Sequence, residues 1–135
     1  MNAERLIEKA KEARTFAYVP YSDFAVGAAL LAKNGQVFLG CNVENGAYSP
    51  SICAERTAFS KAVSEGVREF EAIAIVGGPR DKEPENMCPP CGVCRQAFLE
   101  FEKNGHPIEL ILAGKEKIYI LDSFKDTMPL SFTEF

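Results

Sequence analysis

Leu6, Ile7, Ala10, Ala13 and Ala17 recur at the three- and four-residue spacing of one helix face. They lie between Asn2, which can cap a first turn, and Pro20, which stops a helix, so the spacing predicts a helix over 3–18. Two apolar runs, "VGAALLA" (26–32) and "QVFLGCN" (36–42), flank Asn34-Gly35 and predict a hairpin. A second helix is expected from near Ser49-Pro50 to about Glu65, with Gly66 as its stop. "EAIAIVGG" (71–78) is an apolar, β-branched run that ends in glycines, the pattern of a buried strand. The polar, Pro-rich "PRDKEPENMCPP" then reads as a loop. Pro90 or Cys91 opens a third helix that ends at Asn104-Gly105, with Val93, Ala97, Phe98 and Phe101 as expected core positions. "PIELILA" (107–113) and "KIYIL" (117–121) are joined by "GKEK", too short for a parallel crossover, so this pair should be antiparallel. Five strands with three helices before and between them predict a mixed sheet covered by helices, an α/β layered domain.

Length and charge narrow the function. The 135 residues suit one domain, 1–135, with a core that needs no disulfide staples. A net charge of −4 gives no general basic surface, which argues against nucleic acid as the main partner. No stretch approaches the ~20 apolar residues of a membrane span, so no membrane partner is expected. "MNAERLIEKA" lacks the apolar core of a secretory signal, and a cytoplasmic protein is expected. In a reducing compartment five cysteines point to metal or catalysis before disulfides.

Three of the cysteines lie in "MCPPCGVCRQ" (87–96) at two overlapping spacings. Cys88-Pro-Pro-Cys91 reads as a redox pair, and Cys91-Gly-Val-Cys94 as half of a metal site. Cys53 falls in the first turn of the predicted second helix, and Cys91 with Cys94 in the first turn of the third. Both helices follow strands, which brings their N-termini to one edge of the sheet. A helix N-terminus favours the thiolate, the form that binds metal. Three thiolates with one open position suit a catalytic zinc, with water in the fourth place. His106, the only histidine, lies roughly 15 Å or more from Cys94 at ~1.5 Å per helical residue, too far to ligate. Cys41, at a strand end, reads as a small buried hydrophobe. Such a site is net negative and needs compensation, from the helix ends and from Arg56 or Arg95 near the sulfurs. Glu55, in "CAER", can reach the metal's water without ligating and move its proton.

The spacing Cys53-Ala54-Glu55 followed by Pro90-Cys91-Gly92-Val93-Cys94 resembles the signature of the zinc deaminases. "YVPYSDFAVGAALL", "CNVENGAYSPSICAERTAF" and "PPCGVCRQ" extend the resemblance over residues 18 to 96, to the small homotetrameric cytidine deaminases of free nucleosides. The resemblance implies a three-layer α/β/α fold with a five-stranded mixed sheet, and one zinc per subunit held by Cys53, Cys91 and Cys94. Glu55 would be the catalytic proton shuttle and Arg56 would compensate the ligand charge. Phe24 would pack against the pyrimidine, Asn42 and Glu44 would hold the ribose hydroxyls, and the backbone around Ala54 and Cys91 would contact the base. Phe132, in the loosely matching "MPLSF", would reach a neighbouring subunit's site. The implied reaction turns cytidine and 2′-deoxycytidine into uridine and 2′-deoxyuridine with release of ammonia, in pyrimidine salvage. The apolar tail "MPLSFTEF" could bury against a neighbour in such a homotetramer.

Each residue also has a plainer meaning. The three cysteines fit small buried hydrophobes, Glu55 a solvated first-turn carboxylate, Arg56 a surface charge and Phe24 a core aromatic. Asn42 and Glu44 fit turn residues, Phe132 an ordinary apolar contact, Tyr48 packing or an interface, and Cys88 a loop thiol. Other functions compete too: the same chemistry on a polynucleotide or on an aminopyrimidine such as blasticidin S, or a non-catalytic zinc or dithiol module. The acidic balance disfavours a polymer, and the last leaves Glu55 and "NVEN" without a purpose.

Overall fold

The structure, a computed structural model, describes residues 1–133, so Glu134 and Phe135 of the apolar tail lie outside the described residues. Its elements are α1 (Ala3–Arg14), β1 (Phe24–Ala32), β2 (Val37–Cys41), α2 (Ala54–Ser64), β3 (Phe70–Pro79), α3 (Gly92–Leu99), β4 (Glu109–Ala113) and β5 (Ile118–Leu121). Two 3₁₀ turns, Glu100–Glu102 and Phe124–Thr127, follow α3 and β5. The strands form one sheet in the order β2-β1-β3-β4-β5. Only β3 and β4 pair in parallel; β1–β2, β1–β3 and β4–β5 are antiparallel, as the short "GKEK" link requires.

Alternation along the strands makes two cores. Ala28, Leu30, Ile73, Ile75, Leu110 and Leu112 face α2 and α3, where Ala58, Ala62, Phe98 and Leu99 pack on them. Ala29, Ala72, Ala74, Val76 and Ile111 face Leu6, Ile7 and Ala10 of α1. The result is three layers, α/β/α, with the central strands β1, β3 and β4 buried on both faces.

Two glycines set how closely the layers approach. A Cβ at Gly27 would meet the Ala10 carbonyl and stand 2.5 Å from the Arg14 nitrogen, so α1 rests directly on β1. A Cβ at Gly40 would meet the Ala54 carbonyl and stand 2.5 Å from the Ala58 nitrogen, so the first turn of α2 rests on β2.

All three helices are shorter than the periodicity suggests, and long-range contacts end each one. Asn2 caps α1 as expected, accepting from the Arg5 N–H at 2.9 Å. The helix stops at Arg14 rather than 18 because Tyr18 bridges Val43, which holds that segment extended. Arg14 reaches back to the carbonyls of Ala25 (2.9 Å), Gly78 (2.9 Å) and Pro79 (2.6 Å), locking the end of α1 over β1 and β3. A second bridge, Val43 to Ile52, keeps the chain extended up to Cys53, so α2 begins at Ala54 and not near Ser49. Tyr48 in that stretch is 79% exposed, so it does not pack within the chain. Helix α3 tightens into 3₁₀ geometry at Glu100 because Glu102, 1% exposed, turns inward. Its carboxylate accepts from the N–H groups of Ile108 (2.7 Å) and Phe124 (2.9 Å) and from the Ser123 hydroxyl (2.8 Å), which satisfies the buried charge. Val93, expected in the core, is 59% exposed, because Cys94, Phe98 and Leu99 occupy the inward face of α3.

Gly27→Ala should therefore be among the most damaging single-methyl additions, because backbone on both sides must move. We expect a loss of about 3 kcal/mol in denaturant unfolding, and a stability equal to the parent protein would contradict the close approach.

Candidate functional site

Since β2 and β3 both run antiparallel to β1, their C-terminal ends lie at the same edge as the start of β1: Cys41 pairs with Gly27, and Pro79 with Phe24. Helices α2 and α3 begin beyond that edge. Cys53 is the N-cap of α2 and Cys91 the N-cap of α3, and neither side chain caps the N–H groups of its helix, which leaves both sulfurs available. The sulfurs of Cys53, Cys91 and Cys94 all lie within 4.8 Å of one another, with Cys53 and Cys91 3.6 Å apart. Cys88 is not in this group; its sulfur lies 2.8 Å from where a Cβ on Gly77 would stand, packed on β3. The Cys91–Cys94 pair, completed by Cys53, is the one the fold assembles.

These sulfurs do not behave alike. A hydrogen bond from Cys94 is the main reason the Cys53 thiol falls to about 5. The same bond raises Cys94 far above the thiol range, so the two share one proton. Arg56 donates from Nη2 to the Cys53 sulfur at 3.8 Å. Burial works against its charge, yet the sulfurs of Cys53 and Cys94 outweigh burial and hold Arg56 above its ordinary range. Its Nε is buried with no hydrogen-bond partner among the described residues. A cluster of soft thiolate donors at two helix N-termini, faced by a guanidinium, fits one zinc ion, whose charge replaces the shared proton.

Glu55 stands in the first turn of α2, 4% exposed. Burial pushes its carboxyl up to about 7; a backbone hydrogen bond opposes this, and the negative Cys53 sulfur adds to it. Ala54 beside it is fully buried. Burial, with the charges of Glu55 and Cys53, drives the Cys88 thiol up to about 11, which keeps it protonated and inert.

Phe24 is 41% exposed and lines a cleft of about 460 Å³ with Gly77, Gly78, Pro79, Lys82 and Met87. Asn42 braces it: Nδ2 donates to the Phe24 carbonyl at 2.9 Å, and Oδ1 accepts from the Val26 N–H at 2.9 Å. Glu44 accepts from the N–H groups of Tyr21 (3.0 Å) and Ser22 (3.1 Å) and from the Ser22 hydroxyl. The Ser22 hydroxyl is the main reason its carboxyl sits below the usual carboxylate range. Of the two residues expected to hold a sugar, Asn42 is thus also tied to the start of β1 and Glu44 to the loop before Phe24. Phe132 is 68% exposed, with its main chain held by Gln96. Arg95 does not turn to the sulfurs; it donates to the carbonyls of Pro90 (2.8 Å) and Thr127 (3.1 Å). Sequence reasoning missed these bracing roles of Ser22, Arg95 and Gln96. The only signal was their adjacency, two residues before Phe24 or one and two residues after Cys94. A larger hollow, near 700 Å³, between Glu85–Met87 and Gly114–Tyr119 contains none of the expected site residues.

The profile of the family described as "Cytidine and deoxycytidylate deaminase zinc-binding region" matches residues 1–106. A cytidine deaminase of Sporosarcina psychrophila is 54% identical over 110 residues, 82% of this chain and 77% of that protein. The crystal structure of cytidine deaminase from Burkholderia pseudomallei superposes with a TM-score of 0.87 at 44% identity, covering 98% of this chain and 100% of the other. Cytidine deaminase from Mycobacterium tuberculosis superposes with a TM-score of 0.78 at 33% identity, covering 99% of each.

The unequal sulfurs can be read chemically. At pH 7 the metal-stripped protein should hold Cys53 almost wholly as thiolate, whereas a thiol at about 11 is ionised in about one molecule in ten thousand. Iodoacetamide labelling followed by peptide mass spectrometry should therefore mark Cys53 long before Cys88, and reloading with zinc should protect Cys53. Equal rates at the two positions would contradict the assignment.

Proposed function

Because this chain belongs to the zinc-dependent cytidine and deoxycytidylate deaminase family, we propose that it hydrolyses the 4-amino group of cytidine and 2′-deoxycytidine, releasing uridine or 2′-deoxyuridine and ammonia. The observation that carries this is the buried carboxylate of Glu55 beside three convergent sulfurs. Three sulfurs leave a fourth position open for water, and the acid beside them can move that water's protons.

Cys53, Cys91 and Cys94 hold one zinc per subunit. When bound, zinc lowers the pKa of water from 15.7 toward ~7 and so supplies hydroxide at neutral pH. Glu55 takes a proton from the attacking water and delivers it to ring N3, which makes C4 electrophilic. The water's oxygen bonds to C4, and Glu55 then carries that oxygen's remaining proton to the amino group, which leaves as ammonia as the C4–N bond breaks. A carboxyl held near 7 by burial suits both directions of transfer. Arg56 offsets the negative charge of the sulfurs.

Phe24, 41% exposed at the start of β1, flanks the pyrimidine. Asn42 and Glu44 take the ribose hydroxyls while bracing the start of β1 and the loop before it; Oδ1 and Nδ2 of Asn42 each keep one hydrogen-bonding site after binding main chain. The first N–H groups of α2, at Ala54, and the main chain at Cys91 face the base. Phe132 belongs to a neighbouring subunit's site.

We read the chain as one catalytic domain, 1–135, working as a homotetramer in cytoplasmic pyrimidine salvage. A single sheet carrying all three helices supports the first. The second is supported by the half-exposed Ile118, Tyr119 and Ile120 on edge strand β5 and by the exposed Phe132. Among the described residues no helix is long and apolar enough to cross a membrane.

Loss of cytidine's ultraviolet absorbance tests the reaction. Glu55→Gln should keep its zinc yet slow turnover by about 10²–10⁴-fold, and the wild type should sediment as four subunits and accept both nucleosides. Zinc-loaded wild type that leaves cytidine untouched would refute the reaction, and a fully active monomer would refute the tetramer.

A further inference from the structure

The two aromatic residues assigned to the base, Phe24 and Phe132, are held in one manner: a side-chain amide grips the main chain. For Phe24 the amide is Asn42. For Phe132 it is Gln96, whose Nε2 donates to the Phe132 carbonyl at 2.5 Å while its Oε1 accepts from the Phe132 N–H at 3.3 Å. Gripping both polar groups of one residue fixes the direction in which its side chain leaves the backbone, as well as its position. Among side chains of this length, only a glutamine has the donor and the acceptor that the two bonds need.

The clamp has a second anchor beside it. Arg95 holds the Thr127 carbonyl at 3.1 Å and the Pro90 carbonyl at 2.8 Å, just ahead of Cys91. The C-terminal segment is therefore fastened at two places to the helix that carries Cys91 and Cys94. Between the fastenings Leu130 adopts a φ of +57° and is fully exposed, a conformation that a branched side chain does not choose on its own. The path of the tail is imposed by its fastenings, and the ring of Phe132 stands 68% exposed at the end of it.

We propose that Gln96 is a positioning residue for substrate binding: its amide clamp aims Phe132 into the base site of a neighbouring subunit. It acts through Phe132 and does not touch the substrate. The proposal rests on the assignment of Phe132 to the base, so the test separates the two.

Steady-state kinetics on cytidine would be measured for zinc-loaded Gln96→Ala, Gln96→Glu, Phe132→Ala and the double variant Gln96→Ala/Phe132→Ala, with zinc content and melting temperature for each. Losing both hydrogen bonds in Gln96→Ala should raise KM about tenfold, with kcat changed by no more than about twofold and zinc retained. Gln96→Glu has the same size but cannot donate to the carbonyl, so its KM should rise as well. In the Phe132→Ala background, Gln96→Ala should add nothing further, the non-additivity of residues acting as one unit. A raised KM in Phe132→Ala with an unchanged KM in Gln96→Ala would overturn the proposal and leave the role of Phe132 standing. An unchanged KM in Phe132→Ala would overturn both. Loss of kcat and zinc together in both Gln96 variants would make Gln96 a support of the metal helix, which also overturns it.

Discussion

Three sulfurs within 4.8 Å of one another cannot all be charged unless positive charge is gathered among them, and much of this fold is arranged to gather it. Two helices start at the site, so their unpaired N–H groups and dipoles point at the sulfurs. Arg56 adds a full charge at 3.8 Å from Cys53. What remains is the room and the ligand chemistry for one divalent ion. The requirement reaches into the sheet: Gly40 has no Cβ, which lets the first turn of α2 settle on β2 and sets where Cys53 and Glu55 stand. Burial then does opposite things to neighbouring groups. It raises Glu55 to about 7, and it raises Cys88 to about 11, out of the reactive range.

Around that centre, irregular segments are held by side chains reaching main chain. Arg14 binds three carbonyls at the ends of β1 and β3, Asn42 pins the entry to β1, and Glu44 pins the loop before it. Glu102 joins the turn after α3 to the starts of β4 and the last 3₁₀ turn. Each of these ties replaces a ladder or helix bond that the irregular chain cannot make for itself. Loops near the site are thereby made rigid without being regular, which is what orienting a small substrate demands.

Local pattern made much of this legible in the sequence. The five strands, the Asn34-Gly35 hairpin and the antiparallel last pair follow from alternation and turn residues, and the structure has them all. The trio of Cys53, Cys91 and Cys94 was legible because strand-to-helix order places two helix starts at one edge. Helix ends were not legible. Arg14, Cys53 and Leu99 are boundaries because of the bridges Tyr18–Val43 and Val43–Ile52 and the inward turn of Glu102, pairings between residues far apart in the chain. Arg95 illustrates the same limit: one residue from a ligand, it looked placed to meet a sulfur, yet the helix turns it toward Pro90 and Thr127. Adjacency in sequence fixes where a side chain starts, and the packed neighbours decide where it ends.

Cobalt substitution tests the central claim most directly, because the spectrum reports the ligands themselves. Protein reconstituted with Co²⁺ should bind one ion per chain, with the intense visible bands of tetrahedral coordination and near-ultraviolet thiolate-to-cobalt charge transfer. Serine at position 53, 91 or 94 should weaken that charge transfer, whereas Cys88→Ser should leave it unchanged. The faint spectrum of an octahedral oxygen site, or charge transfer lost on replacing Cys88, would contradict the three-sulfur centre.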